Sequence, residues 1–189
     1  MSETLPTFTS DWLTPKLRFW EKHLAEFRDR DGVEYLEIGS YEGRSVLWML
    51  DHILTHETSR ATCVDVWRGA KIEERFDHNI AISSHSNRLH KIKGTSRDAL
   101  QWIQPPWSGP YDVIYIDGSH EARDVLSDAV LSFELLKIGG VMIFDDYGWK
   151  QADRVDLLPG IGIDAFLSAY APCVEILEKR YQVILNRVK

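Results

Sequence analysis

Asp117, Asp145 and Asp146 each end an apolar stretch of the chain, and His120 lies three residues beyond Asp117. Carboxylates brought close together repel and raise one another's proton affinity unless a cation sits among them. These three therefore predict a hard divalent ion, magnesium first and manganese or calcium as alternatives, with water or substrate oxygens completing the shell. The alternative is that Asp145 and Asp146, as neighbours on an extended segment, point to opposite sides so that only one faces a site. His120 titrates near neutrality and can take a proton from a substrate hydroxyl. Asp117 is the other candidate base, and a structural histidine at a helix start is the plainer reading of His120.

A second constellation is Tyr35-Leu36-Glu37-Ile38-Gly39-Ser40-Tyr41-Glu42-Gly43-Arg44-Ser45. It reads as a strand, a glycine turn and a helix, with Gly39 and Gly43 letting the backbone pass close to a ligand. A dinucleotide turn offers bare amides to a pyrophosphate, whereas Glu37 and Glu42 would repel one. Acids at this turn suit a cationic cofactor without phosphate, and S-adenosylmethionine, with its sulfonium and ammonium groups, fits. Asp65 follows Gly43 by 22 residues, where an acid can accept hydrogen bonds from a cofactor ribose. An ordinary strand-end cap is the plain alternative. Trp67 is a candidate to flank the adenosine or simply to pack, and Ser96 to bond an adenine edge or cap the next helix.

The elements that must position these residues alternate. A strand holding Val33, Tyr35, Leu36 and Ile38 precedes a helix over 45–54. A strand over 60–66 is followed by a polar segment over 71–85 of mixed helical character. A strand over 89–92 leads to a helix over 96–103 stopped by Pro105-Pro106. The strand 111–116 is the clearest, and a helix over 122–136 follows it. Gly139-Gly140 is expected to end that helix and launch a strand over 141–144. A loop over 147–160, a short helix over 164–170 and an antiparallel pair over 174–177 and 181–185 complete the chain. At the N-terminus, Thr14-Pro15 predicts a helix start, with Thr14 as the cap and Leu13, Leu17, Trp20, Leu24 and Phe27 on one face. The expected fold is α/β: a Rossmann-like, doubly wound, mostly parallel sheet in a three-layer sandwich, closed by a C-terminal antiparallel hairpin. Residues 1–31 form an N-terminal helical segment and 32–189 the cofactor-binding domain. In such a sheet the carboxyl ends of the strands share one rim, so the acids converge whatever their spacing.

At 189 residues and 44% hydrophobic the chain suits one domain with a full core. The net charge of −7, with scattered Lys and Arg, gives no footprint for nucleic acid or an anionic membrane surface. No apolar run approaches the ~20 residues of a membrane span, and residues 1–10 lack signal-peptide character, so a cytoplasmic location is expected. Cys63 and Cys173 lack metal-site spacing and read as reduced core residues. Trp12, Trp20 and Phe27 suit a subunit interface in a homo-oligomer as well as an intrachain one.

With these residues on the page, the chain resembles the class I S-adenosylmethionine-dependent methyltransferases, and within them the small-molecule O-methyltransferases. The first motif, residues 37–45, is similar to that of the catechol O-methyltransferase group, which implies that Tyr41 and Ser45 hold the methionine carboxylate. Gly94-Thr95-Ser96-Arg97-Asp98-Ala99-Leu100 looks like the adenine-side turn. Tyr115-Ile116-Asp117-Gly118-Ser119-His120 and Gly139-Gly140-Val141-Met142-Ile143-Phe144-Asp145-Asp146-Tyr147 look closer to macrocin-type sugar O-methyltransferases. The resemblance implies cofactor contacts from Glu37, Gly39, Tyr41, Gly43, Ser45, Asp65, Trp67, Ser96 and Asp117, and magnesium on Asp117, Asp145 and Asp146. The catechol group has asparagine in place of Asp146 and a lysine base in place of His120. The expected activity is methyl transfer to a hydroxyl of a small molecule, a sugar or a phenol. The rivals are a metal-independent enzyme of the same fold and a non-catalytic cofactor-binding regulator. A nucleic-acid amino-methyltransferase would resemble [D/N]-P-P-[Y/F] where this chain has Asp117-Gly118-Ser119-His120.

Overall fold

The computed structural model describes residues 5–103, 110–150 and 154–189. Seven strands form one sheet in the order β3-β2-β1-β4-β5-β7-β6: β1 (Glu34–Ile38), β2 (Arg60–Asp65), β3 (Leu89–Lys93), β4 (Tyr111–Ile116), β5 (Leu136–Phe144), β6 (Val174–Lys179) and β7 (Val183–Arg187). The first five run parallel, and β7 enters antiparallel between β5 and β6. The expected Rossmann-like sandwich with its closing hairpin is therefore observed. The order reverses between β1 and β4, and both of those strands are buried along nearly their whole length.

Alternation along each strand divides the core in two. Tyr35, Cys63, Val113, Tyr115 and Ile143 face helices α1 (Leu17–His23), α2 (Arg44–His52) and α3 (Ala70–Ile82). Leu36, Val64, Ile114, Ile116 and Phe144 face α4 (Ser96–Trp102), α5 (Ala122–Leu135) and α6 (Pro159–Tyr170). Cys63 is buried and free, as expected, whereas Cys173 is only half-buried.

The N-terminal helix is shorter than its periodicity predicts. A 3-10 turn over Thr14–Lys16 precedes α1, and a second over Ala25–Phe27 follows it. Thr14 is not the cap but the first residue of that turn, whose N-cap position is Leu13; Asp11 accepts from the Thr14 amide at 3.0 Å and from its hydroxyl at 2.7 Å. The segment is still firmly docked. Trp20, Leu24 and Phe27 are buried, each worth roughly 1.5–3 kcal/mol of transfer free energy, while Trp12 remains 62% exposed.

Two glycine pairs read differently in three dimensions. Gly139 and Gly140 lie inside β5 and not at the end of α5, in the bulge where the pairing with β4 slips between Tyr111 and Val113. Pro159 opens α6 five residues before the expected start at 164, as proline at a first helical turn can. Gly162 lies within α6, and a Cβ there would overlap the Ala122 carbonyl, so the glycine sets how closely α6 meets α5. The expected stop at Pro105-Pro106 lies outside the described residues. Among the described residues no helix is long and apolar enough to cross a membrane.

Candidate active site

The carboxyl ends of β1, β2, β4 and β5 open onto one cavity of about 1490 Å³. Topology fixes its layout. Asp65 and Val66 after β2, with Gly94 and Ser96 after β3, line one end; Asp146 after β5 and Tyr181 before β7 line the other. Gly39, Tyr41, Asp117, Gly118 and His120 line the cavity where the strand order reverses.

Backbone strain marks the same rim. Tyr41, Trp67 and Asp146, following β1, β2 and β5, all have positive φ, at 47°, 40° and 56°. Side-chained residues enter this region at a cost of about 1–3 kcal/mol and cluster at functional sites. Asp65 holds two of them: its carboxylate accepts from the Tyr41 amide at 2.8 Å and the Trp67 amide at 2.7 Å. The strand-end acid is thus a clamp on both turns as well as a cavity-lining group. Gly39 is required by approach, since a Cβ there would overlap the Asp117 carbonyl.

Not every expected cofactor residue reaches the cavity. Gly39, Tyr41, Asp65, Ser96 and Asp117 line it, whereas Glu37, Gly43, Ser45 and Trp67 do not. Trp67 takes the packing alternative: it is 3% exposed, packs on Phe76 at 4.7 Å and donates from Nε1 to the Tyr41 carbonyl at 2.8 Å. It braces the turn from behind, and Val66 is the neighbour that faces the cavity. Ser96 is not the α4 cap; Thr95 is, accepting from the Asp98 amide. Ser96 instead bonds the buried Asp128 carboxyl, which burial pushes up to about 6. Glu37 is fully buried, receiving the Tyr35 hydroxyl at 2.5 Å and the Ser45 hydroxyl at 2.9 Å. Burial pushes it up to about 7 against those hydrogen bonds.

Strand β4 repeats this pattern. Tyr115, in register with Glu37, has its hydroxyl 2.8 Å from an Asp117 oxygen and in contact with Asp145 as well, so its single proton is shared between the two carboxyls. Tyr-x-acid pairs two residues apart share a sheet face, a signal present in the sequence but unread. Burial, then the charges of Asp145 and Asp146, raises Asp117 well above an ordinary carboxylate. Asp145 and Asp146 do diverge, as the alternative reading held. Asp145 is buried against Tyr115 and Lys16, and Asp146 accepts from His120 Nε2 at 2.8 Å and the Tyr181 hydroxyl at 2.9 Å. The Asp146 bond raises His120 above its usual value. Burial works against Asp146, but the His120 and Tyr181 bonds outweigh it and hold that carboxyl low. Trp149 stacks on the His120 ring at 4.7 Å.

The metal expectation meets an occupied donor set. Lys16 forms an ion pair with Asp145, and the Asp146 amide donates to the other Asp145 oxygen at 2.7 Å. Among the described residues, no group of three or more His, Cys, Asp or Glu side chains is arranged to hold a metal ion. The residues as placed do not fit a preformed magnesium site. Lys16, Tyr181 and Trp149 were missed because they come from elements with no motif.

A methyltransferase-domain family model matches residues 36–147. Protein R132 of Acanthamoeba polyphaga mimivirus is 29% identical over 67% of this chain and 57% of its own length. The O-methyltransferase hkm8 of Aspergillus hancockii is 30% identical over 59% of this chain and 41% of its own. The chain thus spans about half the length of these curated relatives. The O-methyltransferase from Bacillus cereus, solved in complex with SAH, superposes with a TM-score of 0.71 at 21% identity, covering 98% of this chain and 84% of that one. With the matched span running from β1 through the Asp145-Asp146 turn, the chain belongs to the methyltransferase-domain family and has the Rossmann-like fold of its class I members.

Proposed function

We propose that the protein transfers a methyl group from S-adenosylmethionine to a hydroxyl of a small molecule, a sugar or a phenol. The observation that carries this reading is one cavity with two chemically different ends. At one end are a glycine turn, strand-end acids and no phosphate-binding loop; at the other is a histidine paired to a carboxylate. The O-methyltransferase names of hkm8 and the Bacillus cereus protein support the oxygen acceptor.

The donor fits the first end. Gly39 and Gly118 bring backbone close, Asp65 offers carboxylate oxygens toward a ribose, and Ser96 with Asp128 offers polar atoms beyond it. S-adenosylmethionine held there would supply an electrophilic methyl to the acceptor oxygen and leave as S-adenosylhomocysteine, with the hydroxyl proton passing to the protein. His120 is placed to take that proton, and Asp146 stabilises the imidazolium that results. Trp149 stacks on His120 at the acceptor end, and Trp12 lies 5.5 Å from Tyr41 on the cofactor turn. Much of the acceleration in such a site is positioning. Magnesium assistance is not carried into this reading, because Lys16, Tyr115, His120 and Tyr181 already take the oxygens it would need.

Two measurements test the proposal together. Calorimetric titration with S-adenosylhomocysteine is expected to give one site per chain. Transfer of a labelled methyl group to a panel of sugars and phenols is expected to fall with His120→Ala while S-adenosylhomocysteine affinity stays. Binding without transfer to any hydroxyl would favour the non-catalytic reading.

A further inference from the structure

We propose that the Lys16 ammonium is the built-in cation of the acceptor end, seated on Asp145 where the carboxylate pattern calls for a divalent metal, and that the acceptor oxygen docks on it. The docking part rests on the methyltransferase reading above; the seating of the cation does not.

Lys16 is held from both sides. Upstream, the chain is stapled to the cofactor turn and its helix. The Thr9 amide and hydroxyl donate to Glu42 at 2.7 and 2.8 Å, and Asp11 pairs with Arg44 at 2.8 Å. Downstream, buried Trp20 donates to Gln182 at 3.0 Å and meets the Tyr115 ring edge-on at 4.8 Å. That tyrosine is the one whose hydroxyl joins Asp117 to Asp145. These anchors fix the backbone on either side of Lys16 and so set where its side chain starts, although seating the ammonium on Asp145 still costs the rotamer freedom that a surface lysine keeps.

Its surroundings are those of a cation site. The Lys16 side chain is 15% exposed and its Asp145 partner 1%. The ammonium lies 5.4 Å from the centre of the Tyr181 ring, and that tyrosine's hydroxyl anchors Asp146. Lys16 also lines the cavity. An ammonium has three N–H donors, so a group paired to Asp145 still has hydrogens for a ligand oxygen. A fixed positive charge there stabilises negative charge as the acceptor oxygen gives up its proton. In the balanced step the ammonium is unchanged, while the proton goes to His120 and the methyl to oxygen.

The probe is Mn²⁺, followed by loss of its free-ion electron paramagnetic resonance signal. It is titrated into wild-type protein, Lys16→Ala, Lys16→Arg, Asp145→Asn and Lys16→Ala/Asp145→Asn, with S-adenosylhomocysteine calorimetry on each. Wild type and Lys16→Arg are expected to leave the Mn²⁺ signal unchanged. Lys16→Ala exposes an uncompensated carboxylate and is expected to bind Mn²⁺ roughly tenfold or more tightly than wild type, an affinity removed by Asp145→Asn. Mn²⁺ uptake by wild type that is lost in Asp145→Asn would overturn the assignment, as would folded Lys16→Ala that gains no affinity. Should Lys16→Ala fail to fold, Lys16→Gln, which keeps the length of the side chain without its charge, takes its place with the same expectation. Manganese exclusion without S-adenosylhomocysteine binding would leave Lys16 as the cation and remove the methyltransferase reading.

Discussion

Glu37 makes the protein less stable as pH rises, and its replacement by glutamine should remove that trend. The carboxyl is fully buried, with the Tyr35 and Ser45 hydroxyls donating to it and the Asp65 charge nearby, and burial carries it from 4.5 to about 7. The folded state therefore holds this proton more tightly than the unfolded one, so the penalty is absent below about pH 4.5 and complete above about pH 7. At about 1.4 kcal/mol per pH unit, the full penalty is about 3 kcal/mol. About 2 kcal/mol of it falls between about pH 5.5 and about pH 8.5. Glu34, Asp117 and Asp128 are also raised, but they are present in both proteins and cancel in the comparison. The assay is urea unfolding of wild type and Glu37→Gln at both pH values. The gap between the two unfolding free energies should move by about 2 kcal/mol in the variant's favour on going to the higher pH. An unchanged gap would refute the argument that a neutral Glu37 is what the folded core prefers.

Asp65→Ala removes the acceptor for two amides in the left-handed region and should cost about 2–4 kcal/mol by chemical denaturation while weakening S-adenosylhomocysteine binding. Unchanged affinity in the folded variant would take Asp65 out of the cofactor site. His120→Ala should lower kcat by roughly 10²- to 10⁴-fold and leave cofactor affinity intact, as measured by calorimetry. Gly162→Ala forces a Cβ into the Ala122 carbonyl and should lower stability by about 2 kcal/mol or more, seen as a reduced Tm.

The strands and the rim were legible because both follow from local pattern. Apolar runs such as 111–116 and 141–144 marked the strands, and the acids at strand ends had to share an edge, while the division of the side chains between two faces emerged from the structure. Where pattern and packing compete, the sequence misleads. Pro159-Gly160-Ile161-Gly162 has the composition of a loop, yet proline opens α6 and Gly162 is small for the sake of α5. Trp67 sits next to Asp65-Val66, but a left-handed residue turns its ring into the core instead of toward the ligand. The ion pair that reshapes the acidic cluster was beyond any spacing argument, since Lys16 and Asp145 are 129 residues apart. Nor does a carboxylate pattern say whether a metal or an ammonium completes it.

The cavity at the rim of β1, β2, β4 and β5 is proposed to bind the methyl donor. Calorimetric titration of S-adenosylhomocysteine into the full chain tests it directly, with Asp65→Ala as the comparison. Saturable binding at one site per chain, weakened in the variant, is the expected result. A folded wild-type protein that gives no binding heat at any temperature tried, and no thermal stabilisation by the ligand, would contradict it.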